Sequence, residues 1–233
     1  VDSTYTMIDK TYQQSATAEG ITQQYSESLK SLVDIPYAMM KKEYERNPKA
    51  RDQIIATVNG IRYKGDGYFW INDTSGKMVT HPLNRALNGT DLSGYSINGR
   101  LVTAEGTSTP LFLEMIRVCQ TSPTGDGFVS YFWPSPDDPN RQVRKLSYVR
   151  LFKPLNWIIG TGINVDQAET EGKARLSEII ASMRYNKEDY FYVVDNTYTV
   201  LIHPNKDLVG KNLSDAKDAN GKLYVKEQVD QAT

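Results

Sequence analysis

GYFWINDTSGKMVTHPLNRALNGTDLSGYSINGRL, residues 67–101, returns in altered form as DYFYVVDNTYTVLIHPNKDLVGKNLSDAKDANGKL, residues 189–223. Tyr68, Phe69, Asp73, His81 and Pro82 match Tyr190, Phe191, Asp195, His203 and Pro204 at one constant spacing. A single deletion after the His-Pro step pairs Gly89 with Gly210 and Leu92-Ser93 with Leu213-Ser214. A single insertion then pairs Asn98-Gly99 with Asn220-Gly221. The two histidines are the only ones in the chain. An internal duplication of this length exceeds a solenoid repeat and points to two modules of one fold. Within the first copy, 68–72 carries aromatic and β-branched residues suited to a strand. Asp73-Thr74-Ser75-Gly76 supplies a tight turn, and 77–81 reads as the hairpin partner.

Outside the repeat, 5–44 is rich in Gln, Ser, Glu and Lys, with Ile8, Tyr12, Ile21, Tyr25, Leu29, Leu32 and Val33 spaced mostly by three or four. That is the pattern of a long amphipathic helix. Pro36 falls inside it and predicts a kink or restart between Val33 and Tyr37. Asn47-Pro48 predicts the cap of a second helix through Ile54, Ile55 and Val58. After the Gly-rich turn at 64–67 comes the duplicated hairpin, then a Gly- and Asn-rich excursion over 82–106. A helix follows around Leu111 to Cys119, and three strands are predicted at 127–133, 143–152 and 157–165. A polar helical linker covers 167–183, and the second copy begins at Tyr185. It ends soon after its Asn-Gly, so it is expected to form only part of a sheet. The predicted fold class is α+β, a long N-terminal helix with antiparallel sheet modules. The expected boundaries are 1–58 for the helical region, 59–166 for the first module, 167–184 for the linker and 185–233 for the partial second module.

Composition narrows the function. A formal charge of −1 and a pI near 6.2 give no basic footprint for nucleic acid. The mean hydropathy of −0.52 accompanies a sequence with no apolar run of about 18 residues that could cross a bilayer. The single cysteine, Cys119, sits in a helical apolar pattern and reads as a core thiol. The Asn-X-Ser/Thr triplets at Asn72, Asn88 and Asn212 read as turn chemistry. No nucleophile elbow, Gly-rich phosphate loop or H-E-x-x-H zinc motif occurs. With one histidine per copy, neither a Cys-His pair nor a multi-His metal site is expected within one module, nor is a haem pocket. The chain is expected to be no enzyme and to need no cofactor or metal. The Asp137-Asp138 pair is expected at a solvated hairpin tip.

At YFWINDTSGKMVTHP (68–82), NGTDLS (88–93), GFVSYFWP (127–134), KLSYVRLF (145–152) and WIIGTGINVD (157–166), in that order, the chain resembles Cache domains of the Cache_2 type. The resemblance covers about 31–166, with a weaker copy over 190–225, so the whole resembles a double-Cache region of PAS-like modules. It implies the periplasmic, ligand-binding part of a membrane-anchored bacterial receptor: a methyl-accepting chemotaxis protein, or alternatively a sensor histidine kinase or cyclase. It further implies a short carboxylate ligand such as acetate, propionate, lactate or pyruvate, held in the membrane-distal module. A homodimer through the N-terminal helix is expected. A second reading is a ligand-free module that recognises a periplasmic protein.

Five residues are the candidates for holding a small anion, which needs one or two strong donors in an otherwise apolar wall. His81 can donate to a carboxylate from the end of its strand, or else stay neutral and brace the following loop through backbone hydrogen bonds. Lys145 offers a cation, or is simply solvated. Trp70 and Tyr131 lie on strands expected beside it. Tyr148 stands three residues from Lys145, so on a regular strand the two face opposite ways and one lies outside the pocket unless a bulge intervenes. The second copy has Tyr192 for Trp70, Val194 for Asn72 and Ile202 for Thr80, a more apolar surface less suited to the same anion.

Overall fold

The computed structural model describes residues 2–64, 67–135, 138, 140–184 and 189–232. The elements are α1 (Asp2–Ser15), α2 (Ala18–Arg46), α3 (Arg51–Gly60), β1 (Arg62–Tyr63), β2 (Gly67–Tyr68), β3 (Trp70–Asp73), β4 (Met78–Thr80), β5 (Ser96–Ile97), β6 (Arg100–Leu101), α4 (Leu111–Thr121), β7 (Asp126–Pro134), β8 (Gln142–Phe152), β9 (Trp157–Asn164), α5 (Val165–Ser182), β10 (Val193–Val194), β11 (Val200–Ile202) and α6 (Tyr224–Ala232). They fall into two units, one of residues 17–169 and one combining 1–16 with 170–233. The expected turn at 64–67, Asp137 and the start of the second copy at Tyr185 involve residues outside those described.

In the 17–169 unit, β4-β3-β9-β8-β7 form a five-stranded sheet, antiparallel throughout. Alternation sends Ile71, Leu146, Tyr148, Phe152 and Ile159 to one face, where Leu29, Val33 and Met40 of α2 bury them. Trp70, Val129, Tyr131, Val149 and Ile158 point to the other face, beneath Leu111, Phe112 and Met115 of α4 and Val102 and Ala104 of the long loop. At about 1.5–3 kcal/mol per buried large apolar side chain, each layer is held mainly by this burial. Phe69, Leu29 and Ile71 are essentially inaccessible to solvent.

Two helix boundaries differ from expectation. α2 runs through Pro36 without a break, and Pro36 is itself buried among the helix residues facing the sheet. The break comes at Ala16-Thr17, where the Thr17 hydroxyl accepts the Gly20 N–H at 3.1 Å and caps α2. Asn47 closes α2 rather than opening α3: its N–H donates to the Glu43 carbonyl, and α3 starts at Arg51 without a side-chain cap. The strand expected over 68–72 is divided into β2 and β3 at Phe69.

The duplication is visible in hydrogen bonds. Asp73 Oδ1 accepts from the N–H groups of Ser75 and Lys77, and Asp195 Oδ1 accepts from those of Thr197 and Thr199. Gly89 N–H donates to the Met78 carbonyl and Gly210 N–H to that of Val200, each at 2.8 Å. Both glycines have positive φ, +81° and +83°, which a residue with a Cβ adopts only under strain. The repeated stretch is thus a hairpin with a return loop laid back along its outer strand.

The unit of 1–16 and 170–233 is built from α1, the later part of α5, the β10–β11 hairpin and α6. Gly172 lets α5 approach α1: a Cβ there would fall 1.5 Å from the Ser15 carbonyl oxygen.

Candidate ligand-binding site

Four of the five candidate residues share the loop-side face of the larger unit. β3 delivers Trp70, the end of β4 delivers His81, and β7 and β8 place Tyr131 and Lys145 directly opposite each other. Tyr68 joins them. Its ring centroid lies 4.9 Å from that of His81 and 6.5 Å from that of Trp70, and the Lys145 Nζ sits 5.4 Å from it on a cation–π approach. Ser147, fully buried one strand position along from Lys145 on the same face, shares a 2.9 Å hydrogen bond between its Oγ and the Tyr131 hydroxyl. Trp70 spends its indole N–H on Asn72 Oδ1 at 3.2 Å and so offers the face an apolar ring.

Two glycines of β9 let neighbouring side chains pack down onto the strand. A Cβ at Gly160 would lie 2.4 Å from Trp70 Cζ2, and one at Gly162 would lie 2.2 Å from Ser147 Oγ. The motif GTGI therefore has a steric reason: any larger residue would displace the indole or the serine. Between them Thr161 faces the other way and donates to the Tyr68 carbonyl at 2.6 Å.

His81 braces the loop that follows it. Its N–H donates to Asn88 Oδ1 at 2.7 Å, and its Nδ1 accepts the Asn84 N–H at 2.9 Å, bracing the loop. Burial, and secondarily the nearby Lys145 charge, lower its pKa to about 4. The ring is therefore neutral at pH 7. With Nδ1 occupied as an acceptor, the proton belongs on Nε2, which is then a hydrogen-bond donor. His203 repeats the bracing: its Nδ1 accepts the Asn205 N–H at 2.9 Å. Burial lifts the Tyr131 phenol to about 12, so it too stays a neutral donor or acceptor.

Tyr148 does not join this group. It lies on the opposite, helix-side face, 5.0 Å from the Phe128 ring, and burial followed by Asp126 pushes its phenol upward. No bulge intervenes between Lys145 and Tyr148 in either ladder, so the strand alternation that separates them holds. Conversely, Tyr68, Ser147 and the two glycines were not among the candidates. Tyr68 carried a signal, since it recurs as Tyr190; Ser147 carried none beyond standing two residues from Lys145.

A hollow of about 430 Å³ lies elsewhere, in the smaller unit, among Ile8, Tyr12, Leu176, Ile180, Val193 and Leu201. Val193 and Leu201 are the counterparts of Ile71 and Val79, which in the first copy pack into the helix-side core. It therefore corresponds to core space and not to the face that gathers Lys145 and His81. Among the described residues no group of three or more His, Cys, Asp or Glu could hold a metal ion. Cys119 is buried, with its thiol pushed up to about 12, and is inert.

The architecture is a helix-backed antiparallel sheet with a polar cluster on its loop-side face, and the family comparison says what kind of module it is. The Cache domain model matches residues 1–233, and the chain belongs to that family. A curated relative, the methyl-accepting chemotaxis protein McpP of Pseudomonas putida, is 36% identical over 129 residues, 55% of this chain and 22% of its own length. The sensor histidine kinase MctS of Rhizobium johnstonii is 26% identical over 145 residues, 62% of this chain and 28% of its own. The chain thus spans about a quarter of the length of these relatives. A solved Cache chemosensory domain described for carboxylic acid recognition is 31% identical with a TM-score of 0.52, covering 64% of this chain and 99% of that one. A periplasmic sensor domain of a chemotaxis protein matches at 31% identity and the same TM-score, over 62% and 97%. The chain is a Cache sensor domain with the fold these structures share.

Proposed function

We propose that this chain is the periplasmic sensing region of a bacterial transmembrane chemoreceptor, and that the 17–169 unit binds a short carboxylate on its loop-side face. The observation that carries the reading is that one ammonium, Lys145, and one neutral imidazole, His81, both lie against the Tyr68 ring. A small anion gains a charge-assisted hydrogen bond from Lys145 and a neutral one from His81 Nε2–H. Tyr131 and Ser147 supply hydroxyls, while Trp70 and Tyr68 fit a short hydrocarbon tail. The relative described for carboxylic acid recognition supports the ligand class. McpP supports a chemotaxis output over a kinase, being the more similar of the two curated relatives.

Ligand contact with both the sheet and the 82–106 loop would favour one arrangement of the two, and α2, packed on the sheet's other face, would carry the difference. Ile35 and Met39 of α2 are exposed and offer a homodimer contact. Among the described residues no helix is long and apolar enough to cross a membrane, so the proposed anchor would lie outside them. A thermal-shift screen of acetate, propionate, lactate, pyruvate, dicarboxylates, amino acids and amines tests the reading. A ligand at a hundredfold excess over its Kd stabilises the folded state by about 2.7 kcal/mol, a shift of a few degrees. Stabilisation by short carboxylates is expected; stabilisation confined to amines would overturn it.

A further inference from the structure

The loop crossing the loop-side face is fastened by a charge pair remote in sequence. Glu105 accepts from both Arg144 Nε at 2.8 Å and Nη2 at 2.6 Å, a bidentate geometry. Around it the chain lies along the outer edge of β7: the Glu105 N–H donates to the Ser130 carbonyl at 2.7 Å, and Ala104 bridges Tyr131. Tyr131 is a wall of the site, so Glu105 fixes the loop where it passes that wall. Arg144 also has a second attachment. Its backbone N–H donates to Asp166 Oδ2 at 3.0 Å, and Asp166 stands in the first turn of α5. The Asp166 and Glu169 carboxylates further favour the charged guanidinium, behind the larger effect of Glu105. One residue thus holds the site's loop through its side chain and the start of α5 through its backbone.

We propose that Glu105 is a positioning residue of the ligand site: its pair with Arg144 clamps 102–107 alongside Tyr131 at the edge of β7 and ties the loop's position to the first turn of α5. The proposal rests on the reading of this face as the ligand site. Glu105 itself contacts no ligand. It sets how often the loop opens, and hence how quickly a bound carboxylate leaves.

The test is amide hydrogen exchange on the ligand-free protein, with Glu105→Gln, Arg144→Gln and the charge-conserving Arg144→Lys, followed by stopped-flow binding of propionate. Each Gln variant is expected to speed exchange at 102–107 and 165–169 by about fivefold, the scale of a partly exposed ion pair. Exchange along β8 and β9 should not change, and Arg144→Lys should keep part of the protection that Arg144→Gln loses. Propionate should dissociate faster from the Gln variants, with little change in its association rate. Unchanged exchange at 102–107, a rise spread evenly over β8 and β9, or an Arg144→Lys protein that exchanges as fast as Arg144→Gln would overturn the clamp. If propionate and its homologues fail to bind the wild-type protein, the ligand reading fails, while the exchange data still decide the clamp.

Discussion

Replacing His81 by asparagine should remove a defined part of the protein's acid sensitivity. The folded imidazole titrates at about 4, against 6.5 for an unperturbed one, because it is only 6% exposed and Lys145 lies nearby. Between those two pH values the unfolded chain takes up a proton that the folded chain refuses. Stability from this group is therefore intact above pH 6.5 and is lost as pH falls toward about 4. At about 1.4 kcal/mol per pH unit the window amounts to about 3 kcal/mol. Asparagine can keep the Asn84 N–H bonded through its side-chain oxygen but cannot take up the proton. Urea unfolding at pH 7 and at pH 4 should show the wild-type protein losing about 3 kcal/mol more than His81→Asn across that interval. The two histidines can be followed individually by NMR, with the His81 signal identified by its loss in the variant. Lys145→Met should raise the His81 titration while burial keeps it below 6.5. A wild-type His81 that titrates near 6.5, or a stability difference between the two proteins that is constant with pH, would refute the burial argument.

Other substitutions test the placement of individual residues. Tyr148→Phe should leave carboxylate affinity within about twofold in calorimetry, since it sits across the sheet from Lys145; a tenfold loss would return it to the site. Gly162→Ala should cost about 1–3 kcal/mol in chemical denaturation and weaken ligand binding as well, because its Cβ collides with Ser147 Oγ. Gly94→Ala, which meets nothing within 4 Å, is the matched control. Thr17→Ala should lower stability by about 1 kcal/mol through loss of the α2 cap, and an unchanged denaturation midpoint would contradict the boundary at Ala16-Thr17.

The architecture was legible where periodicity and turn chemistry agreed. The aromatic and β-branched runs of β7, β8 and β9 and the Asp-X-Ser-Gly turn before β4 behave as their sequences suggest. No restart follows Pro36, because its ring is tolerated in a helix whose packing against the sheet outweighs the loss of one backbone bond. Asn47 misled because the same side chain suits either end of a helix. Residues of the proposed site were legible only in part. Trp70, His81, Tyr131 and Lys145 are side chains whose chemistry and strand positions can be read together, and alternation already set Tyr148 against Lys145. Ser147, Gly160 and Gly162 matter for what lies across from them, and cross-strand neighbours depend on a pairing register that local sequence does not carry. The Glu105–Arg144 pair joins a loop to a strand far along the chain, and one charge among many gives no hint of its partner.

If Lys145 and His81 together receive a carboxylate on the loop-side face, removing the ammonium should weaken its binding. Isothermal titration of acetate and propionate into the wild-type protein and Lys145→Met tests it most directly. Loss of one charge-assisted hydrogen bond is worth about 1.5–3 kcal/mol, so the variant should bind about tenfold to a hundredfold more weakly while remaining folded. Equal affinity in the two proteins would contradict the account.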